Sequence, residues 1–264
     1  MNGTYTRVKW SMSQDTYSTD VFGIEVSWDN NEALANESVN VDEQAEAGLI
    51  ATKTLKVARE ARVSEALFNT TTFTGADYYA DETGAKWDTL TVSEINDRIV
   101  FAQKKLYARY GLQKKHLTMI LHPDIIDMVA NMIAEEEGIV NNVAVKLMST
   151  TEQAEVVRKR FGLKAIMETT APYNDLPFSN DEQDEANFKD IYPEDMVLLG
   201  VLSDGKVGFK GAGLGWQPVY KKATSDFEIE QYAEPGKDGQ VIRAKEWRGT
   251  KVRKEWGFLF DNVK

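Results

Sequence analysis

One stretch of this sequence constrains the fold more than any other. Val41, Ala45, Leu49, Thr52, Leu55, Val63 and Leu67 recur at helical spacing, with charged residues between them, which is the pattern of an amphipathic helix. Asn40 and Glu43 stand three apart and can cap the first turn reciprocally. The spacing predicts a single helix over about 41–68, roughly 40 Å long at about 1.5 Å per residue. That is well beyond the usual three or four turns. In a chain of 264 residues, a helix of this length is a rod to which the remaining parts must attach.

On both sides of the rod the period changes. Residues 5–10 and 21–28 alternate polar and apolar side chains and read as half-buried strands; Asp29-Asn30-Asn31 ends the second with turn formers. Residues 69–92 are small and polar, a long loop that Trp87 pins to the body. Thr91 and Glu94 form a capping box opening a helix whose apolar face is Ile95, Ile99, Ala102, Leu106 and Tyr110, with Gly111 at the left-handed cap position. A short apolar strand at 117–121 leads to a helix opened by Pro123 and carried through Ile126, Val129, Ala130 and Ile133. Ser149 and Glu152 cap a further helix that stops at Gly162, and residues 163–167 and 196–202 read as strands. The middle third is thus a strand–helix mixture around one small sheet. Alternation returns at 227–232, 240–247 and 251–256, with turn formers at Pro235-Gly236 and Asp238-Gly239, and the chain finishes on the apolar tail Phe258-Leu259-Phe260.

Composition narrows the function classes. With 42% hydrophobic residues and 28% charged the chain has the makings of an ordinary core, and disorder throughout is ruled out. A compact monomer of 29.7 kDa exposes about 11,600 Å², against about 43,000 Å² unfolded. No run approaches the roughly 18 consecutive apolar residues of a bilayer span, and Met1-Asn2-Gly3-Thr4-Tyr5 lacks the basic and apolar regions of a secretory signal. Cysteine is absent, which removes disulfides, thiolate nucleophiles, zinc–thiolate sites and iron–sulfur clusters together and suits a reducing cytoplasm. The net charge of −11, from 31 basic and 42 acidic residues, repels nucleic acid and anionic membrane unless cations gather on one face.

Motifs for chemistry are few. His116 and His122 bracket the strand at 117–121 about 20 Å apart, so they read as strand-end residues rather than ligands of a shared metal. Gly208, Gly211, Gly213 and Gly215 are followed by Trp216-Gln217-Pro218 instead of a helix, a flexible loop or hairpin tip rather than a phosphate cradle. The acidic run Asn180-Asp181-Glu182-Gln183-Asp184-Glu185 lacks calcium-loop spacing, and Glu135-Glu136-Glu137 reads as a solvated helix end. No Gly-x-Ser-x-Gly or His-Glu-x-x-His occurs. No catalytic residue, cofactor or metal is expected, although 42 acids always supply pairs. Lys53, Lys56, Arg59 and Arg62 lie three apart: either a solvated face with Glu60 and Glu65 as partners, or a basic stripe facing a polyanion or a neighbour's carboxylates.

Several stretches, taken in order, carry a family resemblance: Asp15-Thr16-Tyr17-Ser18-Thr19-Asp20-Val21-Phe22-Gly23-Ile24-Glu25-Val26, then Glu60-Ala61-Arg62-Val63-Ser64-Glu65-Ala66-Leu67-Phe68-Asn69, then Lys86-Trp87-Asp88 through Ser93-Glu94-Ile95. The step at 117–123, Phe161-Gly162-Leu163, Ala171-Pro172-Tyr173-Asn174 and the C-terminal strands follow. This order resembles the major capsid proteins of tailed double-stranded DNA bacteriophages, the Hong Kong ninety-seven-type capsid fold, over essentially the whole chain.

The resemblance implies an α+β fold in three parts. An extended hairpin arm would occupy 1–20. A peripheral domain would combine 21–90 with 223–264 around a spine helix at about 41–68. An α/β axial domain would occupy 91–222. It implies a structural, non-enzymatic protein that self-assembles into hexamers and pentamers of an icosahedral shell around packaged DNA. The shell would form in the host cytoplasm and become the virion, with portal, scaffolding and decoration proteins as partners and no membrane. Tyr5, Trp10 and Tyr17 are the expected anchors for a neighbouring subunit, with Lys53, Lys56, Arg59 and Arg62 as further inter-subunit contacts. Many relatives carry several tens of residues before the Asp-x-Tyr region where 14 stand here: either this shell does without a long arm, or preceding residues are removed. Some relatives crosslink an arm lysine to an asparagine; Lys9 is the only arm lysine, and that chemistry is not carried over. A flat shell subunit should expose more than the compact surface and bury interfaces above the standard ~1,600 Å², closing rings head to tail. The alternatives are an encapsulin-like nanocompartment shell of the same fold enclosing protein cargo, and a soluble α/β hydrolytic or sugar-binding enzyme using acid pairs.

Overall fold

The computed structural model describes residues 18–29, 42–138, 148–169, 172–174, 188–202, 213–219, 226–233 and 239–264. Strand β1 (Asp20–Asp29) pairs antiparallel along its whole length with β10 (Gly239–Arg248), which pairs on its other side with β9 (Glu228–Ala233). The period of two holds in space: Phe22, Ile24, Val26 and Trp28 are half-buried, while Val21, Gly23, Glu25 and Ser27 are exposed. Helix α1 (Glu43–Leu67) lies on the inner face, where Ala47, Ala51 and Leu55 meet Ile242 and Ala244.

Two details of the rod differ from expectation. Its N-cap is Asp42, whose carboxylate accepts from the Ala45 N–H at 3.0 Å, rather than the Asn40–Glu43 box; an aspartate caps as well as an asparagine and adds a negative charge at the positive end of the helix. The buried stripe is Ala47–Ala51–Leu55, and Leu49 is 53% exposed. A helix laid flat on a sheet approaches it most closely through small side chains, so Leu55 of the expected stripe is buried as read while Ala47 and Ala51 take the places beside it and Leu49 faces outward.

The second sheet has five strands in the order β2 (Tyr79–Asp81), β12 (Gly257–Asp261), β7 (Val197–Gly200), β3 (Thr118–Leu121) and β4 (Ala165–Glu168). Strand β12 runs parallel to β2 and antiparallel to β7, and β3 runs antiparallel to β7 and parallel to β4; β5 (Pro172–Asn174) and β6 (Phe188–Asp190) form a separate antiparallel pair. Helices α2 (Val92–Tyr110), α3 (Pro123–Glu136) and α4 (Thr150–Phe161) contribute to the core that takes Met119, Leu121, Leu199, Phe258 and Phe260 from the sheet. The alternate residues Ile120, Leu198 and Leu259 join a second cluster with Phe68, Phe73 and Leu214.

Burial on both faces explains a further difference. Phe258-Leu259-Phe260, expected as a tail, lies in an interior strand of this sheet; a strand covered on both sides reads as a continuous apolar run without alternation. The strand expected over 251–256 is instead the short β11 (Lys251–Val252), paired with β8 (Gly215–Trp216), and a 3-10 turn at Lys254–Trp256. The five-stranded sheet draws β2 from 21–90 and β12 from 223–264, the segments expected with the spine helix, and its other strands from 91–222. It therefore bridges both expected domain boundaries.

Local signals account for the helix ends. Both capping boxes form, Thr91 with Glu94 and Ser149 with Glu152, and Gly111 and Gly162 close their helices at φ 68° and 67°. Tyr110, expected on the apolar face of α2, is 42% exposed and stacks on Trp256 at 4.0 Å. Trp87 is fully buried against Phe260, ring centroids 5.6 Å apart. Gly200 and Gly257 face each other across β7 and β12, and the Leu214 side chain occupies the space where either Cβ would stand. The expected strand 5–10, the acidic run 180–185, Gly208 and Gly211 lie outside the described residues.

Candidate functional site

The basic stripe of the rod resolves into two halves. Arg59 and Arg62 turn toward the sheet and hold opposite oxygens of Glu246, whose side chain is fully buried at an inward position of β10. The Arg59 Nε donates to Oε2 at 2.7 Å. Arg248 adds a third guanidinium, its Nε 3.6 Å from the same carboxylate, and pairs on its outer side with Asp226. Two rings complete the cage: Arg59 lies over Phe227 at 4.5 Å and Arg62 over Phe22 at 3.6 Å. Burial pushes the Arg62 guanidinium below its ordinary value; the pull of Glu246 opposes this and the like charge of Arg59 reinforces it. A carboxylate taken out of water is tolerable only with this degree of pairing, so the cluster locks helix to sheet. The acid these arginines find is Glu246, not the Glu60 and Glu65 expected from helical spacing. Lys53 and Lys56 stay exposed, the Lys56 ammonium 5.7 Å from the centre of the Phe227 ring.

The outer face of the three-stranded sheet carries a ladder of charges. Arg243 pairs with Glu25 and Glu230 and donates to the Tyr232 hydroxyl at 3.0 Å, while Lys245 pairs with Glu230. The hydrogen bond from Arg243, and then that from Tyr232, hold the Glu25 carboxyl below the usual range.

The histidines and the buried or paired acids are tied to local structure. The Nδ1 of His122 accepts the Asp124 N–H at 3.3 Å as cap of α3, which leaves Nε2 to face Asp190 at 3.0 Å. His116 accepts the Gln113 N–H at 3.2 Å. At the β2–β12 junction Asp81 accepts from Thr83 and Asn262, and the Tyr79 hydroxyl donates to Asp261 at 2.8 Å; burial, then this carboxylate, push the Tyr79 phenol up to about 12. Glu82 is buried beside Arg98 at 3.5 Å with one oxygen unpartnered, and burial pushes its carboxyl up. Among the described residues no group of three or more His, Cys, Asp or Glu is placed to hold a metal, and no helix is long and apolar enough to cross a membrane.

Large apolar side chains left in solvent include Leu49 and Val57 on α1, Phe101 and Tyr107, 45% and 53% exposed, on α2, and Val21 and Ile229 on the three-stranded sheet. Tyr5, Trp10 and Tyr17, the expected anchors, lie outside the described residues, as does Lys9.

No protein-family model and no curated protein matches the chain. Its three-dimensional arrangement does have counterparts. A phage-related protein from Bordetella bronchiseptica RB50 superposes with a TM-score of 0.67 at 13% identity, over 99% of this chain and 81% of its own. The capsid of cyanophage P-SCSP1u superposes with a TM-score of 0.53 at 11% identity, over 99% of this chain and 80% of that one. This is the Hong Kong ninety-seven-type capsid fold. The procapsid of satellite phage P4 with its size determination protein shares it, with a TM-score of 0.50 at 10% identity, over 100% of this chain and 83% of that one. At such identities the likeness is one of fold.

Two features of this capsid fold escaped the sequence. Glu246 did carry a signal, a carboxylate in phase with Ile242 and Ala244 on the inward side of an alternating strand. The outward face of α2 carried another: residues 98–123 contain six lysines and arginines and no carboxylate.

Proposed function

We propose that this chain is a structural major capsid protein whose copies close an icosahedral shell, as hexamers and pentamers, around packaged double-stranded DNA. The observation that carries the reading is the likeness to capsid and procapsid structures along nearly the whole chain. The large apolar side chains left in solvent on α1 and α2 support it, because a subunit that hides its remaining apolar area against neighbours is expected to be over-exposed when alone. The net charge of −11 suits a container that must release its contents, since an acidic wall holds DNA weakly.

In this reading residues 1–20 form the extended arm, with Tyr5, Trp10 and Tyr17 as its anchors. The helix α1 and the three-stranded sheet form the peripheral part. Residues 91–222 form the axial part, which β2 and β12 join through the shared sheet. Lys53 and Lys56 face neighbouring subunits, whereas Arg59 and Arg62 serve the fold of the subunit itself. The protein has no enzymatic role. Portal, scaffolding and decoration proteins are its partners in the host cytoplasm, and the virion is its destination.

The test is size-exclusion chromatography with light scattering and negative-stain imaging of the purified protein. Shells of uniform diameter are expected, with nuclease-protected DNA in particles from infected or induced cells. A monodisperse species near the 29.7 kDa chain mass and no particles overturns the proposal. Particles that enclose protein cargo and no nucleic acid replace it with a nanocompartment.

A further inference from the structure

Arg59 and Arg62 of the rod are taken up by Glu246; α2 divides its cations differently. Between Asp97 and Asp124 the sequence has six lysines and arginines and no carboxylate, in a chain of net charge −11. On one flank of α2 these cations are satisfied: Arg98 approaches Glu82 at 3.5 Å, and Lys105 and Arg109 share Asp77 at 2.8 and 3.4 Å. The outward face is different. Phe101, Lys104, Tyr107 and Ala108 are all exposed there, one to two turns apart, with Asp97 at the rim. Two hydrogen bonds fold the following segment back along the helix, Gln103 to the Leu112 carbonyl at 3.1 Å and Lys114 to Asn96 at 2.6 Å. They bring exposed Lys115 alongside the helix. Neither Lys104 nor Lys115 has an ion-pair partner among the described residues.

A face that combines two large exposed rings with unpaired ammonium groups is built for an apolar contact ringed by carboxylates. The chain itself offers such a complement. Helix α3 ends on Glu135, Glu136 and Glu137, all exposed, with no basic residue in its last turn. The helix dipole is already negative at that end. Arg160 of α4 pairs with Glu136 at 2.8 Å, and Glu137 at the end of the helix is exposed.

We propose that the outward face of α2, centred on Phe101, Lys104 and Tyr107, docks the acidic C-terminal end of α3 from a second copy of the chain. The two patches differ, so the contact is heterologous and propagates around a ring. This rests on the shell reading and names the surfaces by which one subunit meets the next.

The full chain tests it by charge swap. Lys104→Glu alone and Glu137→Lys alone should each lower the assembled fraction in a sucrose gradient about tenfold, since juxtaposed like charges oppose docking. The double variant carrying both changes should recover most of the wild-type yield. Both residues are exposed, and far-UV circular dichroism should match wild type in all three variants. Single variants that assemble as well as wild type, or a double variant no better than the singles, overturn the proposal. So do Lys104→Glu particles that form normally but lose DNA, which assign the face to nucleic acid. A wild-type chain that forms no particles defeats the shell reading itself, a result separate from any of these.

Discussion

Glu246 is the residue on which the attachment of rod to sheet depends most. Removing one member of a buried ionic cluster costs more than the cluster contributes, because the remaining charges are left facing one another. Glu246→Gln leaves Arg59, Arg62 and Arg248 mutually repelling in a buried setting, and should lower stability by about 3–5 kcal/mol in urea unfolding. Lys53→Gln on the exposed side of the same helix should change it by less than about 0.5 kcal/mol. Glu82 offers a pH-dependent test with a definite sign. Its carboxyl is raised in the fold by burial, against Arg98, so the folded state holds the proton more tightly than the unfolded chain. Its stabilising contribution is complete below the unfolded value and is lost as pH rises through the folded one. Glu82→Gln should therefore melt higher than wild type at pH 7, and the difference should vanish or reverse as the pH falls below 4. A wild-type advantage that persists at pH 7 would show that the Arg98 pairing outweighs desolvation. These residues also mark how far sequence reaches. The partner of Arg59 lies 187 positions away, beyond any spacing rule, and only the inward phase of Glu246 hinted at it.

At the scale of elements, what was legible was local. Capping boxes and glycine stops act within four residues, so Thr91, Glu94, Gly111, Ser149, Glu152 and Gly162 could be placed from letters alone. The strand β12 and the buried side of α1 could not, because their character is set by what covers them. Gly162 at φ 67° supports a direct test. Gly162→Ala should cost about 1–2 kcal/mol from the left-handed conformation, whereas Gly84→Ala, with open space around its Cβ and no positive φ, should fall within about 0.5 kcal/mol of wild type. Thermal unfolding of the two variants side by side decides it. Gly257→Ala acts through packing instead, since its Cβ would enter the space of Leu214 and Phe73. A loss of about 1–3 kcal/mol is expected there.

The whole molecule joins a rod-and-sheet part to a two-faced sheet with three helices, and it leaves apolar side chains on both. Leu49 and Val57 line the outside of α1, and Phe101 and Tyr107 the outside of α2. On the proposed shell function, rings and aliphatic groups placed this way cost little, because the subunit is seldom alone, and they supply the drive for association. Acidity and the lack of cysteine were readable as exclusions of DNA readers and disulfide scaffolds. The architecture itself became readable only through the order of its pieces, since no single stretch is distinctive. The most direct measurement is an icosahedrally averaged cryo-electron microscopy reconstruction of the purified protein. The account predicts closed shells in which each subunit's density takes one copy of α1 lying on its three-stranded sheet and one five-stranded sheet. A protein that stays monomeric at every concentration, with no closed particle to average, would contradict it.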